Sequence, residues 1–118
     1  MLEPAKGKEN RYWAMFKVNG SGRFREVPKA YPVRIEAFDD LELFSYRAWL
    51  EDAPDKGQWY VAEATSGLSV SAPSGTEMQA VQSAISLLFG YGAAETKRRI
   101  ESSIKKYGLS PRYLEGTA

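Results

Sequence analysis

The chain contains neither cysteine nor histidine. Without cysteine there is no disulfide, no thiolate nucleophile and no zinc or iron–sulfur site built on sulfur. Without histidine there is no imidazole base near neutral pH and no histidine-based metal site. The commonest general base and the most reactive nucleophile are both missing. Catalysis would have to rest on carboxylates, lysine, tyrosine or activated hydroxyls, with Glu63 and Asp40 the carboxylates to test first. The expectation is a non-catalytic protein with no metal and no cofactor. Long apolar runs are absent too. No stretch approaches the roughly 18 residues that a membrane span needs. The opening MLEPAKGKEN has no apolar signal core, so the cytoplasm is the expected compartment, with no membrane partner.

What is present fits one α+β domain. The 118 residues lie within the single-domain range, and 43% apolar content is enough for one core without staples. The expected organisation is a flexible leader over residues 1–10, a single domain over 11–109 and a tail over 110–118. The net charge of +1 is too small to imply a polyanionic partner, but it is unevenly spread. Residues 1–36 hold eight basic against four acidic side chains, residues 37–80 two against eight, and residues 81–118 six against three. A basic, acidic, basic sequence implies surfaces of different sign.

Periodicity and turn residues predict an antiparallel β-meander of four or five strands, followed by two C-terminal helices packed on one face. RYWAMFKV (11–18) reads as a strand, NGSG (19–22) as a turn tolerant of positive φ, and RFREV (23–27) as the return strand ended by Pro28. YPVRIEAF (31–38) alternates as a strand does. The segment 41–52 is ambiguous between strand and helix, and its aromatic content favours strand. APDKGQ supplies a hairpin loop, WYVAEAT (59–65) the partner strand, and LSVSA (68–72) a further one.

The loop SAPSGT (71–76) invites a phosphate-binding reading. It lacks the lysine of a P-loop, and Glu77 would repel an anion there. Thr76 with Gln79 three residues later instead fits a capping box. The first helix carries a stripe through Val81, Ala84, Ile85 and Leu88, widened by Met78 and Phe89, and is ended by Gly90 and Gly92. The second carries Ala93, Thr96, Ile100, Ile104 and Tyr107 on one face, with Gly108 as its C-cap. Lys97, Arg98, Arg99, Lys105 and Lys106 fall off that face.

The aromatic residues are the most informative feature. Several strands are apolar on both parities, as in Tyr12 and Phe16 against Trp13 and Met15. Two helices cover only one sheet face, so large side chains must lie on the other. Trp13, Trp49 and Trp59 are assigned there, on an open face. Such a face suits a protein-interaction module, homodimeric and acting as a regulator, inhibitor or adaptor. The three tryptophans would anchor the partner, and Asp39, Asp40, Glu51 and Asp52 would form an orienting rim. The alternative is single-stranded nucleic-acid binding by the same face with Arg11, Arg23, Arg25, Lys97 and Arg98. A four-stranded meander followed by a helix is similar in outline to Pur-type and Whirly-type nucleic-acid-binding repeats, although no diagnostic motif of theirs occurs. The small size, missing catalytic residues and uneven charge also resemble accessory proteins of phages and mobile elements.

Overall fold

A computed structural model describes residues 2–116. The outermost residues of the expected leader and tail, 1 and 117–118, lie outside the described residues. Five strands and one long helix follow in order: β1 (Trp13–Val18), β2 (Ser21–Glu26), β3 (Ala30–Val33), β4 (Leu43–Arg47), β5 (Trp59–Glu63) and α1 (Glu77–Tyr107). A single 3-10 turn, Pro111–Tyr113, comes last. The α+β class holds, but the strands form two antiparallel sheets in place of one meander. One is the β1–β2 hairpin; the other is three-stranded, in the order β3–β4–β5.

The hairpin turns at Asn19 and Gly20, both at positive φ, with Val18 opposite Ser21. In the second sheet, the ambiguous 41–52 segment supplies the central strand. β3 carries Pro32 opposite Phe44, which is tolerated because β3 is an edge strand. β3 stops at Val33, and the expected alternation through Phe38 gives way to a turn that buries Ile35 and Phe38.

LSVSA does not join this three-stranded sheet as a further strand. It touches β5 at one isolated bridge, Ala62 with Ser69, and the loop beyond it makes another, Trp59 with Ser74. The cause is local: the Val61 amide donates to the Ser71 hydroxyl at 2.9 Å, so a side chain takes the place of the ladder carbonyl.

The layers explain the two-sided apolar pattern. On one face of β4 and β5, Leu43 and Val61 pack with Ile35 and Phe38 against Ala80, Ala84 and Leu88 of α1. On the other, Phe44, Tyr46 and Ala62 pack against Tyr12, Ala14 and Val27. The rings stack through the core, with Tyr12 to Phe44 at 4.7 Å and Tyr46 to Tyr60 at 5.5 Å between centroids. The second aromatic face therefore exists, but it is not open. The chain's own N-terminal hairpin covers it.

Where two C-terminal helices were expected, the chain forms one helical element kinked at Gly92, whose φ of 80° and ψ of 163° are not helical. That region is open essentially to glycine alone. Thr76 caps the element, its hydroxyl accepting the Gln79 amide at 3.1 Å, and the Gly108 amide closes it on the Ile104 carbonyl at 2.7 Å. Glu77 accepts a hydrogen bond from the buried Ser45 hydroxyl, which ties the helix start to β4. The SAPSGT loop is architecture.

The buried helix stripe is rotated from the expected one. Alanines at 80 and 84 let the helix approach the sheet closely, and Leu88 completes the contact. Met78, Ile85 and Phe89 are left outside.

The two ends of the chain meet. The Ala5 amide donates to the Arg112 carbonyl at 2.8 Å, and the Lys8 ammonium donates to the Pro111 and Leu114 carbonyls at 2.8 and 2.6 Å. Buried Arg112 donates to the carbonyls of Lys8, Glu9 and Arg11 and pairs with Glu42.

Candidate functional site: a cationic cleft at the helix kink

The kink at Gly92 swings the second half of α1 so that its end reaches the β1–β2 hairpin. Tyr107 lies so close to the hairpin that a Cβ built on Gly22 would sit 2.4 Å from its ring, a contact only glycine allows. A cleft of about 490 Å³ opens between the helix, the 68–70 segment and the end of β1. Four cations line it: Lys17 from β1, and Arg98, Arg99 and Lys106 from α1.

Two tyrosines supply rings beneath these charges. The Arg99 guanidinium lies 4.2 Å from the Tyr91 ring centre, and the ammonium groups of Lys17 and Lys106 lie 5.4 and 5.2 Å from that of Tyr107. Glu95, one helical turn before these arginines, is the acid that pairs with both. Arg98 holds it through two hydrogen bonds of 2.7 Å and Arg99 through one of 2.8 Å. The hydrogen bonds from Arg98, then the one from Arg99, bring its carboxyl down to about 2. Glu95 stays charged and orients both guanidiniums, and the cations lining the cleft outnumber it.

The cleft floor holds two hydroxyls without partners. Thr96 is 5% exposed and Ser103 7%, both line the cleft, and neither side-chain oxygen makes a hydrogen bond. Each unsatisfied group costs about 1–3 kcal/mol. Helical Thr and Ser usually bond back to a carbonyl of the preceding turn, which these do not.

No protein-family model matches the chain, and no curated protein or solved structure matches it either. The residues themselves carry the functional reading.

A second depression, of about 460 Å³, brings together two of the three tryptophans assigned to a partner face. Trp49 and Trp59 line it with Tyr31, Lys29, Arg47 and Lys56. Tyr31 packs on Trp59 at 6.1 Å, while Trp49 stands edge-on to Phe16 at 5.7 Å. Trp13 is elsewhere. It is buried, with Lys8 and Arg11 over its ring at 5.6 and 5.0 Å, so it does not belong to an open face.

The acidic rim does not assemble around these rings. Asp39 pairs with Arg34 at 3.0 Å, Glu51 pairs with Lys56, and Asp52 lies exposed in the 51–52 turn. Asp40 lines a third depression, which also contains Lys97 and Glu101.

The five basic residues of the alternative reading are also dispersed. Arg11 is held by Glu26 through two bonds of 2.7 Å. Arg23 and Arg25 are exposed on β2. Of the five, Arg98 alone lines the cleft. Tyr91 and Tyr107 were missed as site residues, and Lys17, Arg99 and Lys106, although basic candidates, were not chosen among the nucleic-acid contacts. A signal was available in TKRR (96–99) and SIKK (103–106), where a hydroxyl is followed three positions later by a cation, twice, seven residues apart.

The buried carboxylate of Glu63 has a structural task. It accepts the amides and hydroxyls of Thr65 and Ser66 at 2.6–2.9 Å, which builds the turn after β5. Among the described residues no group of three or more acidic side chains is placed to hold a metal ion, and no helix is long and apolar enough to cross a membrane.

Proposed function

We propose that the protein is a non-catalytic binding module for single-stranded nucleic acid. The carrying observation is the cleft at Gly92, where four cations and two tyrosines line one concave surface. Cations that neutralise phosphates together with rings that stack on bases are what sequence-tolerant strand binding requires. The protein-interaction reading rested on an open aromatic face; the β1–β2 hairpin packs over Phe44, Tyr46 and Ala62, which leaves Trp49 and Trp59 in a smaller depression.

The test is fluorescence anisotropy of a labelled mixed-sequence single-stranded oligonucleotide, titrated at low and moderate salt. Affinity should fall steeply as salt rises, because binding releases condensed counterions. Lys106→Ala should weaken binding and lower the salt slope by about 0.7, one phosphate contact on a single strand. No tryptophan lines the cleft, so tryptophan emission should stay unchanged during the titration. Quenching would instead put the strand in the Trp49–Trp59 groove. Salt-indifferent affinity, or none, would remove the proposal.

A second reading, a protein-interaction module that forms a homodimer, is favoured by a different observation. Met78 and Phe89 on the outer face of α1 are 71% and 59% exposed, with Ile85 between them. An apolar helical stripe left uncovered suits a second copy of the same stripe. Light scattering after size exclusion should then give twice the monomer mass, and Phe89→Ser should restore the monomer. A monomer at high concentration would count against it.

A further inference from the structure

Resting on the nucleic-acid reading of the cleft, we infer that it holds two phosphates of one strand at once, on two repeated units of α1. The first unit is Thr96, Arg99 and Tyr91; the second is Ser103, Lys106 and Tyr107. In each, an unpartnered buried hydroxyl is followed one helical turn later by a cation, and that cation lies over a tyrosine ring. Lys17 reaches the second unit from the opposite wall.

Spacing separates this inference from binding of a single anion. Thr96 and Ser103 are seven residues apart, so at about 1.5 Å per residue they stand about 10.5 Å apart along the helix. A single phosphate cannot contact both hydroxyls. Two phosphates on one flexible backbone can, with bases free to reach the rings of Tyr91 and Tyr107. A hydroxyl and a cation one turn apart on a helix lie on the same side and can grip one phosphate together. Both oxygens lie just under the cleft surface, and an incoming phosphate has to part the long side chains that line it. The ligand class is therefore a strand of several nucleotides, and a mononucleotide or inorganic phosphate satisfies only half the site.

The experiment is a length series of 5′-phosphorylated thymidine oligonucleotides, from mononucleotide to octanucleotide. Each is titrated against the wild type, Thr96→Val, Ser103→Ala and the double variant. Neither substitution removes an existing hydrogen bond, so thermal melting should be unchanged or improved, and folding is checked directly. The wild type should gain at least about tenfold in affinity over the mononucleotide once a strand spans both units. Each single variant should lose about tenfold on the octanucleotide and little on the mononucleotide. The double variant should lose both contributions on the octanucleotide and keep only the shallower length dependence that the cations and rings supply. If it binds the octanucleotide as tightly as the wild type, with the salt dependence intact, the two-phosphate inference fails and the nucleic-acid reading stands. If the wild type binds no member of the series, both fail.

Discussion

Arg112 ties the C-terminal segment to the N-terminal one. Its guanidinium is buried, contacts three carbonyls of the N-terminal segment, pairs with Glu42 and lies 4.0 Å from the ring centre of Tyr12. Tyr113 donates to the second Glu42 oxygen at 2.9 Å. Removing one partner of such a pair leaves a charge stranded in the interior. Glu42→Ala should therefore cost about 3–5 kcal/mol, read as a lower urea midpoint. At the same scale Glu63 contrasts with Thr96 and Ser103. A buried polar group with its full set of partners is structure, whereas buried hydroxyls with none lining a cleft invite a ligand.

Among the elements, α1 is decisive, because one backbone position divides its work. Its first half lays Ala80, Ala84 and Leu88 on the sheet, and its second half buries Thr96, Ile100 and Ser103 beyond Gly92. Gly92→Ala forces a side chain onto φ of 80° and ψ of 163°, which should cost about 1–3 kcal/mol. It should also weaken strand binding out of proportion to stability, since straightening the kink moves Arg99 and Lys106 relative to Lys17. Anisotropy at a temperature where the variant is fully folded separates the two effects. The hairpin is the other informative element. Asn19 and Gly20 pair β1 with β2 alone, and the hairpin packs over the sheet face that carries Phe44, Tyr46 and Ala62, whereas Trp59, expected on an open face, lies on the side packed against α1.

For the whole molecule, three layers lock aromatic hydroxyls into partly or fully covered sites. Burial pushes Tyr46, Tyr60 and Tyr113 well above the ordinary tyrosine value. Neighbouring Tyr60 and then the charge of Asp55 add to this at Tyr46, the hydrogen bond to Asp55 adds at Tyr60, and the hydrogen bond to Glu42 adds at Tyr113. The folded state thus keeps protons that the unfolded chain releases above about pH 10. This contribution to stability is complete below that pH and is lost as pH rises beyond it. Thermal melts should show a falling midpoint above pH 10, and tyrosine ionisation followed by absorbance should coincide with unfolding. A midpoint flat through that range would contradict the burial of these rings.

Local rules made much of this legible in advance. The Asn19–Gly20 turn, the Thr76 cap, the Gly108 stop and the two-sided apolar strands were all readable, because each depends on residues close in sequence. So was the exclusion of histidine and cysteine chemistry, which composition alone decides. The tertiary structure decided what covers the second sheet face, because a hairpin can extend a sheet or fold over it with the same alternation of residues. It decided that Met78, Ile85 and Phe89 stay outside, because Ala80, Ala84 and Leu88 make the contact with the sheet in their place. It also brought Lys17, near the start of the chain, to Lys106 and Tyr107 near its end. Periodicity describes one element at a time, and a cleft formed between elements is set by how they pack.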